Sequence, residues 1–257
     1  MEYFVKSDSV VRKIWSDADC ILFIFGACAG EFALHKSVDW LFFTGRLPND
    51  PIGRLFSTVA YAQKIIFEEK SKAEQTLSNM RRIHVNVENS RGFSIPNWAY
   101  QDVLYMLIEY TIFATELLNH TLSQTEKEEI FEVFRRVGDK MGIRELTENF
   151  EDWKTQRTKN LNTNYLKSNF SEQLFQAYRK NLGNFRYFIM SEVQKELLPK
   201  EIKSLIFKHQ STFFRLIFKI YGKVNHFWPF SNLKFLLLPK NHSETLRTFH
   251  QKTYQKS

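Results

Sequence analysis

The sequence predicts an all-α fold, with a single multi-helix, bundle-like domain over residues 1–240 and a polar tail over 241–257. Gly and Pro are scarce, at 9 and 6 residues, whereas Phe alone supplies 25. Turn-rich β proteins have the opposite composition. Apolar residues also recur at helical spacing in several segments. A chain of 257 residues that is 43% hydrophobic can bury one large core, so we expect one helical domain.

The strongest apolar run covers residues 20–34. It is shorter than the roughly 20 apolar residues that cross a bilayer, and it contains Glu31, so we predict a buried helix. Cys20 and Cys28 lie in this run without a metal-type spacing, which predicts two core thiols in a reducing compartment and no disulfide. The N-terminus lacks a signal-peptide pattern, so the expected location is cytoplasmic.

A helix over residues 51–67 is predicted from its start signal. Asp50 can accept hydrogen bonds from the first free amides, and Pro51 loses no needed donor at the first helical position. Apolar residues keep helical spacing through the segment. Arg54 and Thr58 share a second face, which is polar.

A second helix, over residues 71–87, carries an apolar stripe that includes a histidine. Because the stripe alternates steps of four and three, His84 is predicted to point inward, with Arg81 one turn earlier. Residues 89–92 are predicted to form a loop. The stripe consists of Ala73, Leu77, Met80, His84 and Val87.

The third helix, over residues 98–118, is apolar nearly all round and is predicted to lie at the centre of the bundle, although Glu109 interrupts it. Ser123 and Glu126 match a capping box, which begins a helix that ends near Gly142. Further helices are predicted at about 147–160, 171–197 and 200–222, with breaks at Pro199, Pro229 and Pro239.

The net charge of +8 is concentrated at the C-terminal end. Residues 201–257 hold ten Lys and Arg against two Asp and Glu, so the first 200 residues are formally neutral. No nucleic-acid-binding motif accompanies this charge, so no nucleic-acid partner is expected, and a nucleic-acid-binding protein is the weakest of three functional alternatives. Residues 203–223 form a basic amphipathic pattern, which predicts either a packed helix with a solvated face or contact with a membrane surface. The apolar run at 227–238 is predicted to cap the bundle rather than to line a substrate channel.

Several kinds of active site are excluded by the absence of their motifs. The chain has no HExxH, GxSxG, GxGxxG, Walker or CxxCH motif. A di-iron bundle would need Glu three residues before an inward His, and no histidine here has one. What remains is His84 near cationic side chains, which could bind haem iron while guanidinium groups pair with haem propionates. Without further information, such a histidine is more often a core residue.

Ordered blocks of the sequence resemble the rubber oxygenases, also called latex-clearing proteins. That family includes the ER-bound oxygenase that shortens the side chain in mycophenolic acid synthesis. The similarity extends over roughly residues 30–155 as several blocks rather than one motif. The blocks are the run Asp50 to Thr58, the run Arg81 to Val87, Trp98-Ala99-Tyr100, the helix to Leu118, Ser123 to Gly142, and Phe150 to Trp153.

The resemblance implies a helical fold that encloses a haem pocket. The expected cofactor is haem b, and the expected reaction uses dioxygen on a lipophilic, isoprenoid-like small molecule. The family's iron-binding histidine corresponds to His84, and its pocket Arg and Thr correspond to Arg54 and Thr58, which are therefore the expected catalytic and haem-binding residues beside Arg81. His35 lies near an early histidine of the family.

The sequence departs from the family pattern where the chemistry is concerned. Ser57 replaces the Lys of rubber-cleaving members, Glu109 falls where many relatives have a histidine, and Glu68 and Glu88 replace glycines. Glu109 has two interpretations: a catalytic base in a dry pocket, or a carboxylate that reaches the surface or pairs with a basic side chain. These departures leave open an alternative function, a non-catalytic helical carrier of a hydrophobic ligand.

Overall fold

A computed structural model describes residues 2–43, 45, 49–208 and 213–225. Within these residues the chain is helical apart from loops and two isolated bridges, so the all-α prediction is confirmed. The helices are α1 (Val10–Ser16), α2 (Ala18–Phe32), α3 (Asp39–Phe43), α4 (Pro51–Phe67), α5 (Lys70–Arg91), α6 (Asn97–Leu118), α7 (Gln124–Met141), α8 (Phe150–Thr163), α9 (Asn169–Leu197), α10 (Lys200–Ile206) and α11 (Phe213–Val224).

Helix α6 lies at the centre of the fold, as its all-round apolar sequence predicts. Along its length only Val103 and Phe113 are exposed, because α2, α7, α8, α9 and α11 all pack against it. Helix α2 lies between α6 and α9, and it buries Cys20 and Cys28 as free thiols. Burial raises the pKa of both thiols well above the ordinary value, so these cysteines are inert core residues.

The predicted helix starts and stops are confirmed where short-range signals specify them. Asp50 accepts a hydrogen bond from the amide of Gly53 at 2.8 Å, and Pro51 occupies the first turn of α4. Ser123 and Glu126 form the capping box of α7, and Gly142 ends that helix with a left-handed φ of 77°. These signals act within four residues, which is why the sequence alone reveals them.

Two predictions about boundaries are wrong. Residues 89–91 are helical rather than loop, because α5 continues until Gly92 caps it with a φ of 79°. The helix predicted over 200–222 is two helices. Residue Phe207 leaves the helix with extended backbone angles after α10, and α11 begins at Phe213.

Helix α9 is bent, and α11 makes an unusually close approach to the core. Gly183 has a φ of 76°, which a side-chain-bearing residue rarely adopts, and the two halves of α9 meet there at a kink. A Cβ atom on Gly222 of α11 would overlap the carbonyl oxygen of Leu118 at the end of α6. The absence of a side chain at Gly222 therefore lets α11 pack against the central helix.

Some predictions fall outside the described residues. These are the breaks at Pro229 and Pro239, the apolar run at 227–238, and the tail at 241–257. The domain bounds 1–240 stay a prediction for the same reason. Of the helices in the described ranges, none combines the length and the apolar character needed to cross a bilayer.

Candidate active site

His84 lies on α5, near Tyr100 of α6 and Arg54 of α4. It is half-buried, and its stripe on α5 is buried only at Ala73 and Leu77, so the predicted inward direction holds in part. The His84 ring packs edge-on against the Tyr100 ring of α6, with 5.3 Å between centroids. Its Nδ1 atom is buried and has no hydrogen-bond partner among the described residues. A buried polar atom without a partner is unusual in a packed protein.

The surroundings of His84 favour its neutral form. Burial lowers the pKa of His84 below its ordinary value, and the positive charge of Arg54 lowers it further, against an opposing effect of Glu88. Arg54 is therefore near enough to act on the imidazole through its charge, although its own side chain is exposed. A neutral imidazole is the form that donates an electron pair to a metal.

Glu88 and Tyr100 belong to the same site and were missed by the sequence prediction. The Glu88 carboxylate accepts a hydrogen bond from the amide of Ile95 at 2.8 Å and another from the Tyr100 hydroxyl at 3.2 Å. Burial, with the charge of Glu88, raises the pKa of Tyr100, so the phenol keeps its proton and donates. Glu88 thus holds the aromatic ring that packs on His84.

The other predicted residues take different positions. Thr58 is half-buried on α4, and its hydroxyl donates to the backbone carbonyl of Arg54 at 3.2 Å, as the Ser57 hydroxyl does at 2.8 Å. Arg81 is exposed, and its guanidinium lies against Gly142 at the end of α7. The haem-binding role of Arg81 stays a prediction.

Glu109 belongs to a separate, buried ion cluster. Arg157 of α8 donates to the same carboxylate oxygen of Glu109 from Nε at 3.0 Å and from Nη2 at 2.7 Å. Nη2 also donates to Glu31 of α2 at 2.6 Å, and Tyr110 donates to that same Glu31 oxygen. Of the two interpretations of Glu109, the ion pair is therefore the one with an observed contact, and the catalytic one stays a prediction.

This ion cluster contains more negative than positive formal charge. Two carboxylates face one guanidinium, and the second oxygen of Glu31 is buried without a partner. Burial raises the pKa of Glu109 although Arg157 opposes the shift, and this favours the protonated form of Glu109. Sharing one proton reduces the uncompensated charge of the cluster.

His35 is also buried and fully hydrogen-bonded, unlike His84. Its Nε2 lies 3.0 Å from Asp102 and its Nδ1 lies 2.6 Å from the Ser37 hydroxyl. Asn160 and Asn164 donate to the two oxygens of the same Asp102 carboxylate at 2.7 and 2.6 Å. The order hydroxyl, imidazole, carboxylate occurs in nucleophilic triads. Here the carboxylate also accepts from two amides, which is typical of a structural network that ties the end of α2 to α6 and α8.

An apolar cavity of about 110 Å³ lies between α2, α4 and α9, next to the kink in α9. Arg186 is the one charged residue in its lining. Helix α4 contributes Ile52, Leu55 and Phe56 to the cavity from a face different from that of Arg54 and Thr58. His84 does not line this cavity, so the enclosed haem pocket expected beside His84 stays a prediction. The full lining is Ile21, Leu22, Phe23, Phe25, Gly26, Ile52, Leu55, Phe56, Val59, Leu182, Arg186, Ile189, Met190 and Val193.

The donor chemistry of His84 fits a side chain that would hold haem iron. In the described ranges no three His, Cys, Asp or Glu side chains come together to hold a bare metal ion. A haem iron needs just one such side chain, because the porphyrin supplies the other nitrogens. His84 offers a neutral imidazole with one ring nitrogen that no described protein group engages.

Comparison with known proteins assigns the family. A family profile described as "ER-bound oxygenase mpaB/B'/Rubber oxygenase, catalytic domain" matches residues 13–158, which is more than half of the 257 residues. The chain belongs to this family. Its members are oxygenase catalytic domains by description, and the match covers α2 to α7, including His84, Arg54 and Glu109. No curated protein and no solved structure matches the chain significantly.

Proposed function

We propose that this member of the oxygenase family is a haem b-dependent enzyme that uses dioxygen on a lipophilic small molecule, with His84 as the iron ligand. The observation that carries the proposal is the buried, unpartnered Nδ1 of His84 in an environment that keeps the imidazole neutral. An ordinary core histidine satisfies both ring nitrogens, as His35 does. A ligand would supply the partner that Nδ1 lacks among the described residues.

The residues around His84 have distinct roles in this proposal. When bound, haem would supply the iron that binds and reduces dioxygen. The Arg54 cation helps to keep His84 neutral and would lie near an anionic propionate of haem bound there. Tyr100, held by Glu88, packs edge-on against the imidazole and would orient it. Thr58 donates to its own helix, so its hydroxyl oxygen would be left as an acceptor for a ligand bound there.

Two further predicted residues have lesser parts. Arg81 is exposed one turn before His84 and could pair with a second propionate only by leaving its contact with Gly142. Glu109 has no catalytic role in this proposal, because its carboxylate is paired with Arg157. The proposed active site is thus formed by His84, Arg54 and Thr58.

The apolar cavity supports a lipophilic substrate. A dry cavity of about 150 Å³ lined by Leu, Ile and Phe is enough to bind a benzene-sized molecule. The cavity between α2, α4 and α9 has similar lining at about 110 Å³, so it can accommodate a short stretch of hydrocarbon chain. The cavity borders α4, the helix that carries Arg54 and Thr58 on its other face.

The same cavity favours a second candidate, a non-catalytic carrier of a hydrophobic ligand. The cavity and the Arg54 side of α4 lie on different faces of that helix. A ligand confined to the cavity would therefore be separated from His84 by α4 itself. In this alternative the chain keeps the family's fold, and the departures Ser57 and Glu109 accompany the loss of its chemistry.

The test is haem binding by the purified full chain. The wild-type protein, supplied with haem, is expected to show a Soret band with the position and intensity of imidazole-bound haem. The variant His84→Ala is expected to lose this band, and added free imidazole is expected to restore it. The matched control is His120→Ala, since the His120 side chain is 60% exposed at the end of α6; this variant should bind haem normally. An absent Soret band in the wild type would end the proposal.

Oxygen uptake separates the two candidates. With haem bound and a reductant supplied, the oxygenase proposal predicts consumption of dioxygen that increases when a lipophilic alkene is added. The carrier alternative predicts that the alkene raises the melting temperature of the protein, as any ligand of the folded state does, without oxygen uptake.

A further inference from the structure

Helix α11 lies beyond the residues that match the family, and it presents three different faces. One face packs on the core. The Phe218 ring lies 5.0 Å from the Phe23 ring of α2, and Gly222 approaches the end of α6. This face fixes the orientation of α11 on the protein, so the directions of the other two faces are also fixed.

The second face of α11 is apolar and exposed. Phe213, Leu216, Ile217 and Ile220 occur at helical spacing on one side and are 65%, 62%, 39% and 52% exposed. Single exposed apolar residues are normal, but four on one face of a short helix form a patch. The patch continues onto α9 through Phe188, which is 47% exposed and packs on Phe214 of the core face.

The third face of α11 is basic. Arg215, Lys219 and Lys223 are exposed and are spaced four residues apart, along the edge of the apolar patch. The neighbouring acid that faces Arg215 is Glu196 of α9. The sequence has no Asp or Glu from residue 202 to residue 243, so α11 carries three cations and no acid of its own. A partner for this surface must therefore be both apolar and anionic.

We propose that α11 docks on an anionic lipid surface, with its apolar patch among the acyl chains and its basic edge at the headgroups. A helix with Phe and Leu on one side and Lys and Arg beside them lies in the plane of a membrane interface. Long basic side chains extend from such a helix to the phosphates. The anionic headgroups supply the charge that α11 lacks, and the acyl chains cover the patch, so one surface satisfies both requirements. This docking does not depend on the proposed haem chemistry.

The test is flotation of the full chain with lipid vesicles. Vesicles of phosphatidylcholine alone are compared with vesicles that contain about 30% phosphatidylserine, a composition that gives a negative surface potential. We expect the protein to bind the phosphatidylserine vesicles, more weakly at high salt, and to bind phosphatidylcholine vesicles poorly. Lys219→Gln is expected to reduce the partition coefficient about fivefold, the effect of one basic residue near an anionic surface. Lys72→Gln, which changes an exposed lysine of α5, is the charge-matched control and should leave vesicle binding unchanged.

The apolar patch is tested by Phe213→Glu and Ile220→Glu. Each is expected to abolish vesicle binding, while Phe93→Glu, which changes a 73% exposed aromatic residue in the loop after α5, is expected to leave it intact. Equal loss in all three variants would overturn the proposal, because charge alone would then explain binding. So would a lower melting temperature for Ile220→Glu than for Phe93→Glu, since the patch would then be packed against the chain itself. A dimer in the wild type that Ile220→Glu dissolves would assign the patch to a second copy.

Discussion

Two polar regions of the described chain differ in how deeply they are buried and in how many distant residues bind their charged groups. In the ion cluster and the neighbouring His35 network, long-range partners surround each charged group, so that Arg157, Glu109 and Asp102 all lie in the closed core. Around His84, in contrast, the imidazole is half-buried, its Nδ1 has no partner among the described residues, and Arg54, whose charge acts on it, lies at the surface. A deeply buried network ties helices of the core together, whereas a half-buried side chain beside exposed neighbours can be reached by a ligand.

The largest effect on the free energy of unfolding is expected in the ion cluster. Arg157→Met leaves Glu31 and Glu109 buried without a cation, and breaking a buried ion pair in this way costs about 3 to 5 kcal/mol. The free energy of unfolding from urea denaturation measures the loss. A loss below about 1 kcal/mol would mean that the cluster is not closed in solution.

The matched control for Arg157 is on the same helix. Lys154→Met removes the exposed pair with Glu151, and such surface pairs contribute about 0 to 1 kcal/mol. The triple variant Arg157→Met with Glu31→Gln and Glu109→Gln should recover part of the stability, since it removes the carboxylates that Arg157→Met leaves uncompensated.

A smaller effect is expected in the His35 network. Asp102→Asn preserves the shape of the side chain but turns one acceptor oxygen into a donor that faces the donors of Asn160, Asn164 or His35. We expect a loss of about 1 to 3 kcal/mol in the free energy of unfolding, the range for a buried hydrogen-bonding group left unsatisfied. Asp139→Asn, an exposed change on α7, should stay within about 0.5 kcal/mol. Equal losses would contradict the network.

The same contrast explains what could be predicted from the sequence. The helix starts at Asp50 and Ser123 and the central position of α6 follow from patterns within one helix, and the structure bears them out. Arg157 could not be singled out, because it lies in a largely polar helix and its partners come from α2 and α6. The available signal was indirect: Glu31 and Glu109 each interrupt an apolar helix, and two buried acids require a buried cation.

The residues beside His84 were harder still to predict. Tyr100 and Glu88 meet His84 because α5 continues to Arg91 and the following loop turns back to α6. The pair Asn89-Ser90 suggests that the helix ends at residue 87, which would place Glu88 in a loop rather than in α5. The position of Glu88 therefore depends on the left-handed cap at Gly92, whose consequence for the site appears only in three dimensions.

His84 itself should matter little for stability. It is half-buried and makes no hydrogen bond through Nδ1, so His84→Ala is expected to change the free energy of unfolding by about 1 kcal/mol or less in the absence of haem. In the presence of haem the wild type should gain stability and His84→Ala should not, because the ligand binds the folded state alone. A large loss of stability in His84→Ala without haem would mean that His84, like His35, has a structural role.

The smallest expected effect is a difference in the direction of pH dependence. Burial raises the pKa of Glu109, so the folded protein holds this proton more tightly than the unfolded chain does. The contribution of Glu109 to stability therefore declines as the pH rises from about 4.5, the ordinary pKa of a glutamate, through the pKa in the folded protein. The pKa of His84 is lowered by burial and by Arg54, so its contribution declines as pH falls below about 6.5, where the unfolded chain gains a proton that the folded protein resists.

Glu109→Gln and His84→Gln should therefore flatten opposite limbs of the stability profile. Relative to the wild type, Glu109→Gln should gain stability as pH rises above about 4.5, and His84→Gln should gain stability as pH falls below about 6.5. Urea denaturation at several pH values from 4 to 8 measures both slopes, with His120→Gln as the exposed-histidine control. If His84→Gln and His120→Gln gave the same slope, the imidazole would be as solvated as a surface histidine. His84 would then not lie in a site that favours its neutral form, and the proposed difference between the two regions would be wrong.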